Sequence, residues 1–220
     1  MKGMHRLLNY IPSPAIVFIT GRRGSGKTAK AFSLATAMHN KYDKPVYCEK
    51  PRGVWLPSYF YQIDIRNPNN NSIWLLDDAH ILLYAREWWE EPHKLMDVLQ
   101  SISRHKNIDI IYTTQQTVRI DKNIIAGVDA IIFTEPSLLS PQFERTQIIK
   151  FVKEANRIFR NLHPKDKKRT AYIITHEHKI ILKNIKLPYY WSKSLSKSFS
   201  SYNVLEKKRE KRPVLIIKSI

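Results

Sequence analysis

The stretch that decides the fold runs Ala15-Ile-Val-Phe-Ile-Thr20-Gly21-Arg22-Arg23-Gly24-Ser25-Gly26-Lys27-Thr28. Its first six residues are short, apolar and rich in β-branched side chains, which is how a strand buried on both faces of a parallel sheet reads. The run stops at a glycine. Gly21 to Thr28 then match G-x-x-x-x-G-K-[ST] in full. Residues 28–40 read as a helix, with Ala31, Leu34, Ala35 and Met38 on one side. Glycines let the backbone wrap a phosphate without Cβ clashes, and successive N–H groups point inward as an anion nest. The helix start adds positive dipole. Gly21, Arg22, Arg23, Gly24, Ser25, Gly26, Lys27 and Thr28 therefore read as the cradle for ATP or another NTP. Lys27 is expected to reach the β- and γ-phosphates, and the Thr28 hydroxyl to ligate Mg²⁺. A chance glycine-rich turn is the competing reading, and it does not call for the flanking strand and helix. Nucleotide binding alone does not require Arg22 and Arg23, which could also be solvated or face nucleic acid or a neighbouring subunit.

Outward from this stretch, strands and helices alternate. Residues 45–48 and 61–65 are weaker strand candidates, the latter at a sheet edge. Residues 73–77, 108–114 and 130–134 read as buried strands, and a long helix is expected within 81–104. Ile148, Val152, Ala155, Phe159 and Leu162 fall at helical spacing within 141–162. Residues 170–175 and 179–182 read as two strands joined by a tight turn. This pattern predicts an α/β fold with a central, mostly parallel sheet and helices on both faces. Ligands in that architecture bind at the carboxyl ends of the strands. The expected organisation is an NTPase domain over 1–183 and a basic C-terminal tail over 184–220, docked or partly disordered.

The second informative stretch is Ile73-Trp-Leu-Leu-Asp77-Asp78, an apolar strand ending in two acids, the Walker B form. Asp77 is expected to hold Mg²⁺, directly or through water. Asp78, at a position often held by glutamate, is expected to polarise the attacking water as general base. Strand 108–114 is followed by Gln115, whose amide could contact the attacking water or the γ-phosphate. Arg104 precedes that strand. It could stabilise charge on the transferring phosphoryl group, in cis or from the next subunit, or simply complement a helix C-terminus.

Composition bounds the partners. Hydrophobic residues make up 43% and charged residues 25% of the 220, which is globular rather than disordered. The net charge is +18, and 19 Lys and Arg against 5 Asp and Glu lie from Lys150 onward, a net of +14 there. That excess suits a polyanion, nucleic acid before an anionic membrane surface. The lone Cys48 excludes an intrachain disulfide and a zinc ribbon and fits a reducing compartment. The opening MKGMHRLLNYIPSP does not read as a signal peptide, and no apolar run approaches a membrane span.

Phosphate loop, apolar strand with Asp77-Asp78, Arg104-His105, apolar strand and Thr114-Gln115 occur in that order. The constellation resembles the FtsK–HerA superfamily of P-loop pumping ATPases over about residues 15–134. Within it, the chain looks like the compact genome-packaging ATPases of double-stranded DNA viruses with internal membranes, the poxvirus-type group. Its short length, Arg-His pair and basic tail are most similar to the packaging NTPases of turreted icosahedral viruses. The resemblance implies a RecA/FtsK–HerA-like P-loop NTPase fold. It implies nucleotide and Mg²⁺ on Lys27 and Thr28, Walker B roles for Asp77 and Asp78, Gln115 as sensor and Arg104 as a trans-acting finger. It also implies a homo-oligomeric ring, a hexamer, threading double-stranded DNA through a basic pore. Contacts with capsid or membrane-vertex proteins and a place in the host cytoplasm follow from the same likeness.

Three other functions compete. A small-molecule P-loop kinase would use the same loop and usually needs an Arg-bearing lid, for which the Lys165–Arg169 cluster could be mistaken. A filamentous-phage assembly ATPase carries similar motifs but is membrane-anchored. A nucleotide-gated nucleic-acid binder would bind without turnover. His176 and His178 read as solvated rather than metal ligands. Trp88 and Trp89 point about 100° apart on a helix, so one reads as core and the other as rim. Tyr189-Tyr190-Trp191, beside Lys186 and Lys193, suits stacking on single-stranded bases or a tail packing back on the domain; the second is preferred.

Overall fold

The computed structural model describes residues 2–51, 53–64, 67–77, 101–114, 127–139 and 146–198. Asp78, Gln115, Trp88, Trp89, most of the helix expected within 81–104 and the chain from 199 onward lie outside these residues.

The strand read over 15–20 forms as β1 (Ile16–Thr20), and every residue of it is buried. Its neighbours are β5 (Ile108–Thr114) and β6 (Ala130–Phe133), both parallel to it. Beyond β5 come β4 (Ser72–Leu76), β2 (Val46–Cys48) and, at the edge, β3 (Phe60–Gln62), all parallel. Beyond β6 the hairpin β7 (Ala171–Thr175) and β8 (Lys179–Leu182) adds two antiparallel strands. The order across the sheet is β3-β2-β4-β5-β1-β6-β7-β8.

Period-two alternation divides the core between the two faces. Val17, Ile19, Ile73, Leu75 and Ile111 join one cluster with α1 (Lys2–Leu7) and α2 (Lys27–Tyr42). Ile16, Phe18, Trp74, Leu76 and Tyr112 join the other, with Ile148, Val152, Ala155 and Phe159 of α3 (Thr146–Arg160). Both faces being covered explains why the central strands read as continuous apolar runs. Cys48 is buried on β2, and burial pushes its thiol up to about 12.

Residues 184–198 dock on α2. Ile185, Tyr190 and Leu195 belong to the α1–α2 cluster, and Leu195 lies in the short helix α5 (Lys193–Ser198). The Tyr190 hydroxyl sits 2.6 Å from Thr36 Oγ1. Phe32 meets the rings of Tyr190 and Trp191, while Tyr189 is exposed. The three buried anchors fall five residues apart. That spacing matches neither a helix nor a strand period.

A second tie joins α2 to the turn after α4 (Pro164–Lys167). Lys30, fully buried, donates from Nζ to the Lys168 carbonyl at 2.9 Å. Burial, assisted by the charge of Lys27, lowers its pKa from 10.5 to about 8.

Two outcomes follow for stability. Replacing Leu195 by alanine should cost about 2–5 kcal/mol of unfolding free energy, as in any packed core; a solvated tail would show less than about 0.5 kcal/mol in denaturant titrations. Between about pH 8 and 10.5 the unfolded chain keeps the Lys30 proton and the folded chain has shed it, so stability rises with pH across that window. Lys30→Met should lack this rise. Parallel stability-versus-pH curves for the two proteins would refute the assignment.

Candidate nucleotide site

The carboxyl ends of β1, β4, β5 and β6 share one end of the sheet, and the motif residues converge there. β1 hands the chain to Gly21, where a Cβ would overlap the Thr134 hydroxyl and crowd the Glu135 carbonyl; only glycine fits. Gly26 caps α2 in the left-handed region, at φ 86°, and no side chain caps the helix. The first-turn amides of this long helix are thus available to an anion.

Ser25 Oγ lies 2.6 Å from Thr134 Oγ1, and Thr134 in turn donates to the Thr20 carbonyl at 3.0 Å. These buried bonds pin the loop to the tip of β6. Lys27 is 7% exposed, and its Nζ donates to the carbonyls of Gly21 at 3.0 Å and Arg22 at 3.2 Å. The amine therefore spans the mouth of the cradle it is expected to serve.

The acid strand delivers its first aspartate to the same place. Thr28 Oγ1 donates to both carboxylate oxygens of Asp77, at 3.1 and 2.9 Å. Thr113 Oγ1 donates to Asp77 Oδ1 at 2.6 Å. Asp77, Thr28 and the Lys27 loop are thus one constellation. Thr113 is a member that the sequence reading passed over; its position in the strand-ending Thr-Thr pair was the available signal.

Thr28 and Asp77 form an all-oxygen donor set. Mg²⁺ prefers that chemistry and is held by few protein ligands plus substrate phosphates and water. His176 and His178 are exposed, between β7 and β8.

Arg22 does not stand free in solvent. Its guanidinium meets Glu135 Oε2 at 2.6 Å, and Glu135 Oε1 also takes Lys167 Nζ at 3.0 Å. Sequence reading missed Glu135, since a single acid after a strand has no local pattern to mark it. Arg23 and Gly24 are exposed.

Arg104 is not brought to the cradle. It lies before the amino end of β5 and, with Pro14, Ser103, His105 and Asp129, lines a cavity of about 580 Å³. β1 and β5 are parallel, so the length of β5, roughly 20 Å at 3.3 Å per residue, separates Arg104 from the loop. Within one chain it cannot touch the phosphates. The carboxyl end of β5, which leads to Gln115, does lie beside the tip of β1.

A family description, novel STAND NTPase 3, matches residues 1–123. No curated protein matches the sequence. Among solved structures, the genome packaging NTPase of Sulfolobus turreted icosahedral virus 2 in complex with AMPPCP superposes with a TM-score of 0.58 at 15% identity, covering 79% of this chain and 99% of that one. Its complex with ATPγS gives 0.53 at 14% identity, covering 79% and 98%. The pCW3 conjugation coupling protein TcpA with ATPγS gives 0.56 at 11% identity, covering 90% of this chain and 66% of that one. At such identities the likeness establishes the fold. With a complete phosphate loop and an apposed acid strand in that fold, the chain belongs to the novel STAND NTPase 3 family and is an NTP-hydrolysing P-loop enzyme.

Proposed function

We propose that this enzyme is an ATP-driven motor that moves double-stranded DNA as a ring of identical subunits, in the manner of a viral genome-packaging ATPase. The observation that carries the hydrolytic half is the apposition of Thr28 and Asp77 at the mouth of the Lys27 loop. Mg²⁺ held there by Thr28 and Asp77 would neutralise phosphate charge. Lys27 would turn from the loop carbonyls to the β- and γ-phosphates. Asp78 would take the proton of the attacking water, and Gln115 would orient that water.

Two further observations support the motor half. The outer face of α3 is a stripe of exposed Lys150, Lys153, Arg157 and Arg160, spaced three, four and three residues apart. A stripe of that kind suits a phosphate backbone. The distance of Arg104 from its own cradle supports a role at the site of the next subunit, where a finger supplied in trans stabilises transition-state charge. Assembly would then be required for turnover.

Hydrolysis measured with and without duplex DNA tests the whole reading. Duplex DNA should stimulate turnover severalfold, and Lys27→Ala should reduce it to background. Hydrolysis indifferent to DNA would leave an NTPase and remove the motor; a phosphorylated acceptor in place of free phosphate would reassign it as a kinase. Arg104→Ala should lower kcat at least about a hundredfold with little change in nucleotide affinity. Mixing Arg104→Ala with Asp78→Asn should restore part of the activity, because some interfaces then pair an intact finger with an intact acid. Full activity of Arg104→Ala would exclude the finger.

A further inference from the structure

Glu135 approaches the phosphate loop from the side. It follows Thr134 at the tip of β6, and its carbonyl accepts the Arg22 backbone N–H at 3.0 Å. Its carboxylate is divided between two cations: Oε2 takes Arg22 Nη2 at 2.6 Å and Oε1 takes Lys167 Nζ at 3.0 Å. Arg22 is half exposed, whereas Glu135 and Lys167 are partly covered. Burial opposes charge on this carboxyl, but the hydrogen bonds from Lys167 and Arg22 outweigh it and hold its pKa below the usual range. Glu135 is therefore ionised at neutral pH, and the first arginine of the loop is paired with an acid from another strand.

We propose that Glu135 is a positioning residue of the nucleotide site, one that competes with the triphosphate for Arg22 and so sets nucleotide affinity. A triphosphate brings several negative charges to the loop that carries Arg22. Arg22 holds Glu135 through Nη2, and turning the planar guanidinium so that its paired donors meet a phosphate would break that bond. Releasing Arg22 does not strand a bare carboxylate, because Lys167 remains on the other oxygen. The exchange avoids the large penalty of an unpaired covered charge. Lys167 thus acts as the counterweight, and it belongs to the turn whose neighbour Lys168 binds Lys30 beneath the loop.

The proposal rests on the loop binding nucleotide and is independent of DNA. Its sign separates it from scaffolding. Glu135→Gln keeps the side-chain shape and the backbone bond to Arg22 but removes the competing charge. If Glu135 competes, the variant binds nucleotide about twofold to fivefold more tightly, the scale of one exposed ion pair. If Glu135 merely braces the loop, the variant binds more weakly. Lys167→Met leaves Glu135 wholly to Arg22 and should weaken binding by a similar factor.

The experiment titrates wild type and both variants with a fluorescent, non-hydrolysable ATP analogue and Mg²⁺, with thermal unfolding of each apo protein as the folding control. Opposite shifts in the two variants support the proposal. Unchanged or weaker binding in Glu135→Gln overturns it. Should that variant fail to fold, Lys167→Met still decides by its sign, unchanged or tighter binding overturning the proposal. Wild type that binds no nucleotide would sink the reading of the loop itself, a result distinct from equal affinities across the three proteins.

Discussion

The Asp77 carboxylate is where three separately encoded pieces meet: the exit of β4, the exit of β5 and the first turn of α2. It accepts from Thr28 and Thr113 at once. Register makes this possible. β4 and β5 pair Leu76 with Tyr112, so the next residues, Asp77 and Thr113, come level. β5 and β1 pair Thr114 with Thr20, which sets the phosphate loop just beyond. A slip of one residue between β4 and β5 would turn Thr113 to the opposite face and dismantle the junction. The buried apolar pattern on both faces of the sheet therefore does more than hold the fold. It fixes the chemistry to within one residue.

The two ends of the sheet are treated differently. At the amino ends, Asp109 inside β5 accepts from Lys44 Nζ at 2.6 Å, Ser13 Oγ at 2.9 Å and the Ala15 N–H at 2.9 Å. Lys44 also donates to Asn107. Both charges are almost wholly buried, and burial works to raise the Asp109 pKa against the pull of Lys44 and its other donors. Such a pair adds little net stability, but losing either partner would strand the other. It ties the start of β1, the entry to β2 and the start of β5 into one arrangement. At the carboxyl ends the polar groups are instead directed at the loop, and the α2 amides have no side-chain cap. At one end these polar groups satisfy one another, and at the other they are arranged where an anion would bind.

Legibility in the sequence tracked how local each signal is. β1, the phosphate loop, α2, β4 and β5 announce themselves through periodicity and motif within a few adjacent residues. The α3 face was equally plain, since Ile148, Val152, Ala155 and Phe159 keep a helical spacing and all are buried. The docking of 184–198 was legible only in part: Tyr189-Tyr190-Trp191 suited a tail packing back on the domain, but the spacing of Ile185, Tyr190 and Leu195 obeys no period. The partners of Glu135 and Asp109 were hidden for a different reason. Arg22 lies 113 residues from Glu135, and Lys44 lies 65 from Asp109. No composition or spacing rule links such positions; only the strand order does. Arg104 shows the converse limit, since closeness in sequence to β5 says nothing about which end of the strand faces the nucleotide.

That strand order also bears on how hydrolysis could be coupled to a polyanion. The Lys150, Lys153, Arg157 and Arg160 stripe lies on the helix covering the face opposite α2. α3 is followed by the turn carrying Lys167, and Lys167 is joined to Arg22 through Glu135. The chain thus runs from the basic stripe to the phosphate loop through one turn and a single shared carboxylate. Coupling between two sites requires an element that each of them biases. Arg22 would meet that condition, since Glu135 and a bound triphosphate would both draw on its guanidinium. A triphosphate that draws Arg22 away leaves Lys167 as the sole cation on Glu135. A polyanion drawn to Lys167 would leave Arg22 as Glu135's only partner and resist the same exchange. By linkage the two effects would be equal in size and sign, each ligand weakening the other by the same factor. If the proposed competition holds, Glu135 would for that reason link nucleotide affinity to polyanion affinity.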